Sequence, residues 1–122
     1  MDFPDLDIYI ERFKLLGHPT RLQILEVLRR SPQCVCHLEA LLHKPQPYIS
    51  QQLRVLREAN VLADIKNGQN VYYHLVNTEI AALLNTTLGP VLPDGLDGHR
   101  RVPGCACPRC NTPSSQEIEL FV

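Results

Sequence analysis

The chain has 122 residues, of which 44% are hydrophobic and 6% aromatic, with no tryptophan and a formal net charge of −1. That length suits one domain and leaves little for a second core of independent stability. No run is apolar enough to span a bilayer, and a start carrying Asp2, Asp5 and Asp7 lacks the basic opening of a signal peptide, so the expected location is the cytoplasm.

Residues 6–16 read as a first helix, with Leu6, Ile10, Phe13 and Leu16 at helical spacing. Gly17-His18-Pro19 ends it, and 20–30 form the next helix with Leu22, Leu25 and Leu28 inward. Arg21 at its start is assigned a structural role. Ser31-Pro32-Gln33 breaks the pattern before Cys34-Val35-Cys36, and a short helix over about 37–43 buries Leu38, Leu41 and Leu42. A tight Lys44-Pro45-Gln46 connection leads into the stretch QPYISQQLRVLREAN, residues 46–60. Pro47 suits a helix start, where its missing N–H has no partner to lose. Ile49, Leu53 and Leu56 then form a stripe to bury, and Ser50, Gln51 and Arg54 fall opposite.

Two strand-like runs follow, 61–65 and 70–76, around Lys66-Asn67-Gly68-Gln69, where Asn-Gly predicts a type I′ turn. Asn77 or Thr78 can cap a last helix over 79–88, with Ile80, Leu83, Leu84 and Leu88 as its stripe. From Gly89 onward, Gly89-Pro90, Pro93-Asp94-Gly95, Asp97-Gly98 and Pro103-Gly104 are turn signals in quick succession. The expected division is therefore 1–92 as one folded domain, and 93–122 as a loop-rich, cysteine-bearing tail.

A helix-turn-helix followed by a hairpin is a winged helix, mainly α with a β-hairpin wing. Fork-shaped and short polar side chains on such a reading helix are those that contact base edges and phosphates in a major groove. The candidate DNA contacts are Gln46, Tyr48, Ser50, Gln51, Gln52, Arg54 and Arg57 on the helix, with Lys66, Asn67 and Gln69 on the wing. Net charge hides an uneven distribution. Lys44, Arg54, Arg57 and Lys66 outweigh Glu58 and Asp64 in the reading part, whereas Asp2, Asp5, Asp7 and Glu11 gather at the start.

Five cysteines fall into two sets, Cys34 with Cys36 and Cys105 with Cys107 and Cys110. In a reducing compartment such clusters point to metal binding or redox chemistry before structural disulfides. Residues two apart on a regular helix face different ways, so Cys34 and Cys36 can share an ion only at an irregular helix start. Thiolates select soft or borderline ions over magnesium or calcium. Other readings remain for these residues: small buried hydrophobes for the first pair, a zinc knuckle completed by His99 for the tail, or a Cys107-Pro108-Arg109-Cys110 disulfide or polysulfide sensor. His18 and His74 are read as local hydrogen-bonding groups. No activating base accompanies the cysteines, so an enzyme is not expected.

The run LGHPTRLQILEVL, then CVCHL, then QPYISQQLRVLREANVLADIKNGQNVYYHLV, resembles the ArsR/SmtB family of metal- and metalloid-sensing bacterial repressors over residues 13–76. The resemblance implies a dimeric winged helix-turn-helix that binds operator DNA, with the first and last helices pairing across the dimer. It also implies that Cys34 and Cys36, within a C-V-C-x-L motif like that of the family's arsenic sensors, are inducer ligands. Two residues depart from the pattern: Glu39 stands where some arsenic repressors have a third cysteine, and His37 where an Asp is usual. The N-terminal cysteines of the cadmium/lead sensors are absent, and Cys105, Cys107 and Cys110 are the available replacements. The family's zinc site on the last helix needs histidines that 79–88 lacks. The expected function is a repressor released by As(III), with Cd(II), Pb(II), Zn(II) or a thiol-oxidising or sulfur species as alternative inducers.

Overall fold

The computed structural model describes residues 6–91, which run α1 (Leu6–Leu16), α2 (Pro19–Leu28), β1 (Gln33–Cys34), α3 (Val35–Leu42), α4 (Gln46–Glu58), β2 (Leu62–Asn67), β3 (Asn70–Leu75) and α5 (Thr78–Leu88). The tail expected over 93–122, and with it the expected domain boundary, lies outside the described residues. Helices pack around Ile24, Leu25 and Leu28 of α2, Leu38 of α3, and Ile49, Leu53 and Leu56 of α4, closed by Val61, Leu62, Ile80 and Leu84. Each fully buried aliphatic side chain contributes about 1.5–3 kcal/mol, so this set dominates the stability of the domain.

α2 starts one residue earlier than its sequence pattern suggests, with Pro19 in the first turn. Its buried side is Ile24, Leu25 and Leu28, while Leu22 is only half-buried. A three-residue count through Leu22 drifts off the face that Ile24 shares with Leu28. α3 likewise starts two residues early, at Val35, and ends on His43 in the left-handed region (φ 55), where the Lys44 N–H reaches back to the Glu39 carbonyl at 3.3 Å. α4 ends in the same manner: Asn60 has φ 61, and the Val61 N–H donates to the Leu56 carbonyl at 3.0 Å. Asn is one of the few non-glycine residues that tolerates that conformation. The turn after α4 sends β2 back across the helices.

The hairpin forms, but its turn is displaced by one residue from the expected type I′. Asn67 pairs with Asn70, so the two-residue loop is Gly68-Gln69. Of that loop only Gly68 has positive φ (65), the pattern of a type II′ turn with glycine first. The register explains the shift, because it pairs Leu62 with Leu75 and Ile65 with Tyr72 across the hairpin, and Tyr72 becomes fully buried. A third strand was not foreseen. Gln33 and Cys34 add to the free edge of β3 opposite Tyr73 and Tyr72, giving the order β1-β3-β2.

α1 joins the core only at its C-terminal end, through Leu16 with Leu15 beside it. Leu6, Ile10 and Phe13, the expected stripe, are exposed, Phe13 by 58%, together with Ile8 and Tyr9; Leu16 is the buried residue of this helix. An ion pair from Arg12 to Glu79 joins α1 to α5. α5 is capped by Asn77, whose Oδ1 accepts from the Ile80 N–H at 3.0 Å, and turns Ile80 and Leu84 inward while Leu88 stays exposed. Among the described residues no helix is long and apolar enough to cross a membrane.

Candidate DNA-reading face and thiol site

α4 presents its two sides as its spacing demands. Ile49, Leu53 and Leu56 are buried, whereas Gln46, Gln51, Arg54 and Arg57 are exposed and Ser50 is partly so. Gln52 is a correction. It lies 8% exposed on the buried side, because at 100° per residue it sits three positions after Ile49 and four before Leu56. Its amide therefore packs inward, and the outward face of α4 is Gln51, Arg54 and their neighbours.

Tyr48 is half-buried and turned toward α2. Its hydroxyl lies 3.4 Å from His18 Nε2 and 3.4 Å from Thr20 Oγ1, and the Tyr48 and His18 rings are 6.4 Å apart. It anchors the start of the reading helix to the start of α2. Arg21 Nε, by contrast, is buried with no hydrogen-bond partner among the described residues. On the wing, Lys66 and Gln69 are exposed and Asn67 is half-buried at the hairpin tip. Arg57 of α4 approaches Asp64 of β2 at 3.7 Å, linking reading helix to wing through a pair exposed on both sides. Such a pair is worth at most about 1 kcal/mol and leaves Arg57 able to exchange partners.

The cysteine pair straddles a change of secondary structure. Cys34 is the last residue of β1 and the N-cap of α3, with extended backbone (φ −84, ψ 167), and Cys36 lies in the first helical turn. The extended residue swings the first sulfur toward the second, and the two Sγ atoms are 3.2 Å apart. This is the irregular helix start that a shared ion requires. Cys34 is 5% exposed and Cys36 partly exposed, so access is from the Cys36 side. His37, next along, is 1% exposed within the core. Among the described residues no group of three His, Cys, Asp or Glu side chains is placed to hold a metal ion. Two sulfurs are in place, then, and Cys105, Cys107 and Cys110 lie outside the described residues.

The connections of this pair are what sequence reasoning missed. Through β1, Cys34 is paired with Tyr72 of the wing strand, and Gln33 beside it is 1% exposed against Tyr73. Through α3, Cys36 belongs to the helix that packs on α4. A two-residue strand carries no periodicity from which it could have been found.

Comparison with known proteins agrees with this architecture. The family described as bacterial regulatory protein, arsR family, matches residues 18–63, from the start of α2 into β2. The HTH-type transcriptional repressor SmtB of Mycobacterium tuberculosis is 37% identical over 79 residues, covering 65% of this chain and 58% of that protein, so the chain spans little more than half the length of that relative. The arsenical resistance operon repressor of Bacillus subtilis is 33% identical over 81 residues, covering 66% of this chain and 77% of that protein. Among solved structures, Rv0081 of M. tuberculosis superposes with a TM-score of 0.64 at 35% identity, over 70% of this chain and 86% of that one. The order of helices, the wing, the matched segment and these relatives together make the chain a member of the ArsR/SmtB family of winged helix-turn-helix regulators.

Proposed function

We propose that this protein is a homodimeric transcriptional repressor that leaves its operator when As(III) is captured by Cys34, Cys36 and one or more of Cys105, Cys107 and Cys110. The observation that carries the reading is the 3.2 Å separation of Cys34 Sγ and Cys36 Sγ at the junction of β1 and α3. Two metal–thiolate bonds of about 2.3 Å at a tetrahedral angle hold their sulfurs about 3.8 Å apart. A separation of 3.2 Å instead corresponds, with bonds of about 2.3 Å, to an angle near 90°. Trivalent arsenic, whose lone pair presses its three bonds toward right angles, accepts two sulfurs brought this close. Being soft, it also takes thiolates in preference to the surrounding carboxylates.

The DNA half follows from the surfaces. Gln51, Arg54 and Arg57 on α4, with Gln46 and Ser50 at its start, face outward for the major groove, while Lys66, Asn67 and Gln69 reach the flanking backbone from the wing. The exposed apolar side chains of α1, with Leu88 of α5, supply a surface for a second copy, which sets two reading helices on half-sites about one helical turn apart. Capture of the ion couples to both reading elements, since Cys34 is part of the wing sheet and Cys36 part of the helix that supports α4. The inducer shifts the protein only by as much as it prefers the released conformation, and a coupling of about 1–3 kcal/mol suffices for a useful switch. The arsenical repressor of B. subtilis supports the choice of inducer.

A second reading rests on the same distance. The outer sulfurs of a trisulfide, with S–S bonds of about 2.05 Å, lie about 3.3 Å apart, so a single inserted sulfur also fits the pair. Footprinting of the operator by the reduced, metal-free protein tests both. The expected result is protection of two adjacent half-sites that disappears with arsenite. Persistence with arsenite and loss with polysulfide would exchange the readings, and loss only with cadmium, lead or zinc would replace the metalloid by a metal ion.

A further inference from the structure

Arg21 stands in the first turn of α2 with no opposite charge to meet. Its Nε is buried without a hydrogen-bond partner, and no carboxylate of the described residues pairs with it. The structural role expected of this residue calls for a buried acid. The buried polar residues are Thr20, Gln33, His37 and Gln52, and none is acidic. A guanidinium stays charged in any protein environment, and buried polar groups nearly always find a partner. Arg21 therefore calls for an anion from outside the chain.

Its placement says which anion. Arg21 lies on the same side of α2 as Leu25 and Leu28, one and two turns further on, so its stem runs along the core. Helical side chains lean toward the N-terminus, which carries the outer end of this half-buried side chain over the start of α2. That start is tied to the start of α4, because the Tyr48 hydroxyl lies 3.4 Å from both His18 Nε2 and Thr20 Oγ1. Charge around the junction has one sign. The chain carries no acid between Glu11 and Glu26 or between Glu39 and Glu58, whereas it places Arg21 and Lys44 there, with His18 beside them. A major groove about 12 Å wide is filled by a helix that is itself about 10–12 Å across with its side chains. α2 packs on α4, and a helix whose axis is about 8–10 Å away then meets the groove wall, which presents phosphates and not base edges.

We propose that Arg21 binds a phosphate of the DNA backbone at the edge of the groove that α4 enters, which makes the start of α2 a contact separate from the reading helix and the wing. The contact rests on the DNA-reading assignment of α4. Arginine suits it, since a guanidinium is weakly hydrated and forks onto phosphate oxygens through two N–H groups. A phosphate contact carries no sequence information but sets register, and the Tyr48 anchor fixes its spacing from Gln51 and Arg54.

Anisotropy tests this with full-length protein on two labelled duplexes, the footprinted operator and a shuffled sequence of the same length, at several salt concentrations. Loss of one phosphate contact from each of two subunits is expected to flatten the slope of log affinity against log salt by about 1.8 in Arg21→Gln. Between about 50 and 200 mM salt, the affinity of the variant then falls about twelvefold less than that of wild type, on either duplex. Arg21→Lys, which keeps the charge, is expected to restore the slope. An unchanged slope in Arg21→Gln, whatever its affinity, would overturn the contact and leave Arg21 a packing residue. Flattening on the operator alone would overturn it in favour of a base contact. Should urea unfolding show that Arg21→Gln does not fold, wild type decides: its Arg21 guanidinium NMR signals, assigned with Arg21→Lys, are expected to shift on adding operator, and unshifted signals would overturn the contact. Wild type that binds neither duplex would overturn the DNA-reading assignment itself, and the contact with it.

Discussion

Cys34→Ser separates the sensing role of this residue from its structural one. The side chain is 5% exposed, so a serine there buries a hydroxyl, which costs about 1–3 kcal/mol where no partner is found. Yet Cys34 is the N-cap of α3, has the extended backbone that capping requires, and makes no side-chain cap hydrogen bond. A serine hydroxyl can accept from the N–H groups of the first turn, and a serine cap contributes about 0.5–2 kcal/mol. The two effects oppose, giving a net destabilisation of roughly 0–2 kcal/mol. The variant should therefore fold, bind operator with wild-type affinity and fail to respond to arsenite. Urea unfolding and fluorescence anisotropy of labelled operator measure both. A stability loss above about 3 kcal/mol, or weakened operator binding before arsenite is added, would refute the reasoning and make Cys34 a core residue first.

The reading face yields a paired test: Gln51→Ala should weaken operator binding by about 1–3 kcal/mol, the worth of a bidentate base contact, whereas Gln52→Ala should lower stability and leave affinity per folded dimer unchanged. Equal affinity losses in the two would contradict the placement of Gln52 inside. Phe13→Glu, on the exposed face of α1, should turn the dimer into a monomer in sedimentation velocity and weaken operator binding sharply; a dimer that persists would move the interface elsewhere. Glu26 has its carboxyl held below the ordinary value of 4.5, so the stability it contributes is fully present above that pH and is lost as pH falls through its folded value. Glu26→Gln should thus be less stable than wild type at neutral pH, with the gap closing in acid unfolding experiments below pH 4.5; a pH-independent gap would show that packing, not charge, is at stake.

Strong periodicity made α4 legible: Ile49, Leu53 and Leu56 recur at four and three residues and are all buried as that spacing requires. Gln52 was misplaced because residue type was allowed to override angle, and a polar amide was put on the polar side when geometry puts it inward. The Asn-Gly signal located the hairpin but not its register, which is set by which residues of β2 meet Tyr72 and Leu75 across the pair. β1 was invisible, since two residues form a strand only because β3 leaves an edge open to them. For the site, the C-x-C spacing announced chemistry. The closeness of the sulfurs depends on the extended conformation of Cys34, a property of the strand-to-helix junction. α1 read correctly as a helix, yet nothing in its spacing says whether Leu6, Ile10 and Phe13 meet their own chain or another; in the fold they do not meet their own core.

The most direct test of the account is one anisotropy titration of arsenite, carried out anaerobically on labelled operator bound by reduced, metal-free protein, with wild type and Cys36→Ser side by side. The account predicts release of wild type at one to two equivalents per dimer, and a Cys36→Ser complex that stays bound throughout. Wild type that remains on DNA beyond that ratio, or a Cys36→Ser protein released as readily as wild type, would contradict thiolate capture at the β1–α3 junction as the signal for leaving DNA.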